Sequence, residues 1–110
     1  MLKTLDIRLE KKKAALDLAA QLMRQARYEP TERNEGFLRW SLEKDSGHAC
    51  EISFQVFRGL SQIGYIDISA CECEERQAFR EIIKAFQREL SFRGWIATRA
   101  FKIFHSTGIP

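Results

Sequence analysis

Apolar residues occupy every second position through three runs of this chain. Leu38, Trp40 and Leu42 alternate with Arg39 and Ser41; Cys50, Ile52, Phe54 and Val56 alternate with Glu51, Ser53 and Gln55; Ile66, Ile68 and Ala70 alternate with Asp67 and Ser69. A period of two places successive side chains on opposite faces of a strand, one dry and one wet. Three such runs separated by turn residues predict an antiparallel meander. Lys44-Asp45-Ser46-Gly47 supplies the first turn, and Arg58 to Gly64 holds the second. The dry faces must coincide, which fixes an expected register. Leu42 then lies by Cys50, Trp40 by Ile52 and Leu38 by Phe54; in the second hairpin Phe54 lies by Ile68 and Val56 by Ile66.

The periodicity changes on either side of the meander. From about Glu10 to Tyr28 the chain is rich in Ala and Leu, and Leu9, Leu16, Ala19, Met23 and Ala26 recur at helical spacing. Pro30 predicts an end near Arg27–Tyr28. Upstream, Leu5 to Leu9 alternates as a strand would, yet Leu2, Leu5 and Leu9 also continue the helical stripe. The preferred reading extends the helix toward the N-terminus. A second helix is predicted from Ser69 or Glu74 to Arg93, with Phe79, Ile82, Ile83, Phe86 and Leu90 as its apolar face and Gly94 as its C-terminal cap. Trp95 to His105 reads as a last strand with imperfect alternation. The predicted fold is a single α+β domain over residues 1–110. It is a two-layer sandwich of order α-β-β-β-α-β, with an antiparallel meander sheet and two helices packed on one face.

Composition narrows the function classes. The 110 residues carry 18 Lys and Arg against 15 Asp and Glu, a net charge of +3, which permits an anionic partner without requiring one. No apolar run approaches the roughly 18 residues of a membrane span, and the charged start is no secretory signal. Three cysteines cannot all pair within one chain, so free thiols and a cytoplasmic location are expected.

The cysteines raise the question of metal. His48, Cys50, Cys71 and Cys73 lie at strand ends that a hairpin brings together, and zinc takes four such ligands. The expected register opposes this, because Cys50 shares the dry face while Cys71 and Cys73 share the wet one. Cys71 could also sit in the first turn of the second helix, behind a capping box of Ser69 and Glu72, where a helix N-terminus lowers a thiol pKa. Glu72, Glu74 and Glu75 act in the opposite sense, and no local motif provides a base. Neither a Gly-rich phosphate loop, a G-x-S-x-G elbow nor an H-E-x-x-H helix is present. The expectation is a non-enzymatic protein without metal or cofactor.

The order α-β-β-β-α resembles that of the double-stranded-RNA-binding domain, whose second helix opens on a basic cluster that grips phosphate. The corresponding residues here are Glu72-Cys73-Glu74-Glu75, of opposite sign. The shared order is topology alone, which carries no function.

Surface chemistry remains. The expected register puts Phe57 across from Tyr65 and Phe37 beside Gln55, so three aromatics gather on the wet face next to Arg39. Aromatics beside Arg on an open sheet can anchor a protein interface or stack bases. Lys11, Lys12, Lys13, Arg24 and Arg27 make the first helix basic and are possible phosphate contacts. The sequence reading is therefore a protein-binding protein, such as a small inhibitor, adaptor or chaperone-like subunit. It would work through Phe37, Arg39, Phe57 and Tyr65, with a homodimer as the simplest partner. An RNA- or DNA-binding module using the same aromatics and the helix lysines is the alternative.

Overall fold

The computed structural model describes residues 2–43, 49–57, 62–66 and 74–96. In chain order these form β1 (Leu2–Asp6), a 3-10 turn at Leu9–Lys11, α1 (Lys12–Gln25), β2 (Glu32–Asn34), β3 (Phe37–Glu43), β4 (Ala49–Val56), β5 (Gln62–Ile66) and α2 (Arg76–Phe92). The strands make one sheet of order β1-β5-β4-β3-β2, with every pairing antiparallel. The α+β architecture with a meander sheet and two helices on one face is the one the alternation predicts.

The first hairpin has the expected register: Leu38 pairs with Phe54, Trp40 with Ile52 and Leu42 with Cys50. Leu38, Cys50, Ile52 and Phe54 are fully buried and join Ala15, Leu16, Ala19, Met23, Phe79, Ile82, Phe86 and Leu90 in one core between sheet and helices. Each large side chain so buried contributes about 1.5–3 kcal/mol. Phe54 and Phe86 meet at 4.8 Å between ring centroids. At one end Tyr28, Trp40 and Phe79 contact one another edge-on at 5.0, 5.1 and 5.5 Å, a geometry that suits the ring quadrupoles. Leu42 lies beyond this cover and is 46% exposed.

Both helices stop in the same way. In α2, Gly94 takes φ +71°, its N–H donates to Ser91 O, and Trp95 N–H donates to Leu90 O at 2.9 Å. This satisfies two of the last carbonyls in a Schellman motif, as expected of Gly94. In α1 the same bonds run from Arg27 N–H to Arg24 O and from Tyr28 N–H to Met23 O, but the left-handed residue is Arg27, at φ 70°. The reversal comes from this motif, three residues before Pro30. The residues that follow the two reversals, Tyr28 and Trp95, both pack against the core.

Three expectations are corrected. The N-terminal residues are not a continuation of α1: β1 pairs with β5 from Leu2 opposite Ile66 to Asp6 opposite Gln62. Ile7 is fully buried and bridged to Ile96, while Leu9 is 56% exposed in the 3-10 turn. The alternation of Leu5 and Ile7 was thus the true signal, because a sheet edge was waiting to pair with it. Ala26, assigned to the helical stripe, is exposed past the end of α1.

The second hairpin is shifted by three positions. Phe54 pairs with Tyr65, Gln55 with Gly64 and Val56 with Ile63. The strand begins at Gln62, inside the segment read as a turn. An additional strand, β2, pairs with β3 through a two-residue loop in which Gly36 N–H donates to Asn34 Oδ1 at 2.9 Å. Asn34-Glu35-Gly36 is a hairpin signal in the sequence itself.

The third correction concerns sulfur. Cys50 is buried as expected but is disulfide-bonded, so the expectation of free thiols fails there. Its Sγ lies 3.4 Å from Glu75 Oε1 and, without a proton, makes no thiol hydrogen bond to it. The turn at 44–47, His48, the rungs at Ile68 and Ala70, Ser69 to Cys73, and the last strand beyond Ile96 lie outside the described residues.

Candidate functional site

The outer face of the sheet, opposite the helices, is organised around Arg39. Arg39 sits mid-strand in β3, opposite Glu32 on one side and Ser53 on the other. Direct partners in an antiparallel ladder share a face. The guanidinium carbon is 5.5 Å from the Phe37 ring centroid, and Nη2 pairs with Glu32 Oε1. Thr31 clamps the backbone beneath. Its N–H donates to Arg39 O at 2.8 Å and its Oγ1 accepts from Ser41 N–H at 3.1 Å. A single exposed ion pair is worth about 0–1 kcal/mol and an exposed cation–π contact about 0.5–1 kcal/mol. These two contacts orient the side chain, and the Thr31 bonds fix the backbone that carries it. Ser53 beside it is buried, and Arg39 Nε is a buried donor with no acceptor among the described residues.

The expected pairing of Phe57 with Tyr65 is not the one observed. Phe37 is half-buried and lies beside Gln55 as expected. Tyr65 shares its rung with the core residue Phe54, not with Phe57, because of the three-position shift. Three residues of strand is about 10 Å. Phe57 follows β4, half-buried, and its carbonyl accepts from Lys12 Nζ. The described outer face carries a Phe37–Arg39–Glu32 group.

The basic residues divide. Lys11, Lys12 and Lys13 stand at the N-terminal end of α1, where Lys11 is the cap and makes no side-chain capping bond. The positive end of the helix dipole disfavours a cation there by about 0.3–1 kcal/mol. Two of the three have compensating contacts. Lys12 serves the Phe57 carbonyl, and Lys11 Nζ lies 5.4 Å from the Trp95 ring, which Arg93 also approaches at 5.1 Å. Arg24 Nε is 2.8 Å from Glu29 Oε2. Lys13 and Arg27 are exposed. Lys13 borders a shallow cavity of about 350 Å³ with Leu16, Asp17, Arg33, Asn34 and Glu35, which the Arg33–Asp17 ion pair bridges.

Sequence reasoning missed three participants: Glu32, Thr31 and Trp95. The Asn34-Glu35-Gly36 turn could have revealed the first two, because closing that hairpin lays Glu32 against Arg39. Trp95 had no local signal, since its cations come from both chain ends of the helical layer.

Among the described residues no group of three His, Cys, Asp or Glu side chains could hold a metal ion. No helix there is long and apolar enough to cross a membrane. Comparison with family models, with curated proteins and with solved structures finds no match to this chain.

Proposed function

We propose that this chain is a non-enzymatic protein-binding domain, of the inhibitor, adaptor or chaperone-subunit kind, that engages another polypeptide through the outer sheet face. The supporting observation is the preorganised Arg39. It is stacked on Phe37 and paired with Glu32, on a backbone that Thr31 clamps. Arg and aromatic side chains held rigid before binding are what protein interfaces use as anchors, because little side-chain entropy is left to lose. A main-chain carbonyl or carboxylate from the partner would pair with the exposed part of the Arg39 guanidinium. Phe37 and Arg39 are the central contacts, with Phe57 and Tyr65 outside that centre.

The test is photo-crosslinking in the native cell from a benzophenone side chain at position 55, beside Phe37, with exposed position 10 in the 3-10 turn as control. The expected result is a nuclease-resistant protein adduct from position 55 that is lost in Arg39→Ala. Equal adducts from both positions, or an adduct unchanged by Arg39→Ala, would overturn the proposal.

A nucleic-acid module is the second reading, favoured by one observation: Lys13 and Arg27 stay exposed at opposite ends of α1 although helix polarity opposes the first and backbone conformation the second. Binding to single-stranded RNA that falls steeply between 50 mM and 200 mM salt would support it. As to location, the odd cysteine count argues for the cytoplasm, and the disulfide at Cys50 for an oxidising compartment. Thiol titration of the unfolded protein decides. One reactive thiol before reduction means the bond is present in the cell-derived protein; three mean it is not.

A further inference from the structure

We infer that two copies of this chain pair through the outward side of the helical layer, each lodging Phe92 against the other copy's α1–α2 groove. This surface lies in the opposite layer from Arg39 and does not depend on the function proposed above. Phe92 is 86% exposed at the end of α2, the most exposed of the large hydrophobic residues described. On the same helix face lies an apolar cavity of about 330 Å³ lined by Leu22, Ala26, Ala78, Ile82 and Ala85, with Gln25 and Glu81 at its rim. Ala78, Ala85 and Phe92 are spaced seven apart, so they fall in one row along the helix, about 10.5 Å between successive members.

That spacing determines how a second copy fits. A twofold axis beside Ala85 sets the two α2 helices antiparallel. Phe92 of each copy then lies over Ala78 of the other, and its ring, leaning toward its own helix N-terminus, reaches into the cavity. Ala78 and Ala85 are small, so the helices can approach closely along this row. Charge follows the same symmetry. Glu81 and Arg88, also seven apart, have no ion-pair partner among the described residues; Glu81 accepts only from Gln77 Nε2 at 3.0 Å. Antiparallel pairing brings Glu81 of each copy against Arg88 of the other. Glu89, which would otherwise oppose Glu81, is already neutralised by Arg93 at 3.1 Å. An isologous interface requires a surface complementary to itself, and this row meets that requirement in shape and in sign.

Sedimentation equilibrium of the intact chain tests the pairing. The wild type should be a reversible dimer, and Phe92→Ser should weaken it about 30-fold or more, as expected for a central aromatic anchor. Its helical circular dichroism should be unchanged, because the side chain is exposed. Glu81→Arg and Arg88→Glu should each weaken the dimer, and the double swap should restore it. A wild type that stays monomeric at millimolar concentration would overturn the inference. So would a dimer indifferent to Phe92→Ser, or a double swap that fails to recover what the single changes lose.

Discussion

The two helix ends offer a paired experiment on backbone conformation. Gly94 and Arg27 occupy equivalent positions in equivalent Schellman motifs, at φ 71° and 70°. For an L-residue the left-handed region costs about 1–2 kcal/mol, which glycine escapes. Glycine in turn costs about 0.5–1 kcal/mol through the freedom of the unfolded chain. Replacing Gly94 by Ala adds a Cβ that meets nothing within 4 Å, so the change carries no clash and no new contact. The net expectation is a loss of about 1 kcal/mol, the difference of the two terms. Arg27→Gly runs the other way. It removes an exposed side chain, releases the strain, and forfeits a small favourable interaction of the cation with the helix C-terminus. A net gain of about 0.5 kcal/mol is expected. Urea unfolding followed by circular dichroism measures both. At an m of about 2 kcal/mol/M, Gly94→Ala lowers the midpoint by roughly 0.5 M with m unchanged, and Arg27→Gly raises it by about half that. If Gly94→Ala leaves the midpoint alone, or Arg27→Gly lowers it, the account of both helix ends is refuted.

Two further outcomes are expected. Phe54→Ala empties the centre of the core, where Phe54 is fully buried against Phe86, and should cost about 3–5 kcal/mol; a folded variant with an unfolding midpoint near wild type would refute the packing described. Lys13→Glu exchanges a cation for an anion in the first turn of α1 and should stabilise the domain by about 0.5 kcal/mol at low salt, fading as salt rises; thermal unfolding at two ionic strengths reads this directly.

Much of the fold was legible because its causes are local. The alternation at Leu38–Leu42 and Cys50–Val56 states which side chains face the core, and the two dry rows can coincide in only one way without exposing themselves, so the first hairpin register followed. The stripe Phe79–Leu90 and the cap at Gly94 are likewise properties of a single helix. The candidate site was legible only in part. Phe37 and Arg39 do share the outer face, but Tyr65 pairs with Phe54 and not with Phe57.

What the amino-acid order determined alone, then, was the type of most elements and the buried face of each. Tertiary structure decided the rest through partners distant in sequence. Residues 2–6 suit either helix or strand by pattern, and the free edge of β5 made them a strand. β5 begins at Gln62, earlier than Gly59 and Gly64 suggested, and pairs on both its edges, with β1 and with β4. The basic helix start looked like an open phosphate contact until the fold brought the Phe57 carbonyl and the Trp95 ring to Lys12 and Lys11. Local sequence sets what a segment can bury; which hydrogen-bonding edge or counter-group it meets depends on segments far along the chain, and only the folded molecule brings those together.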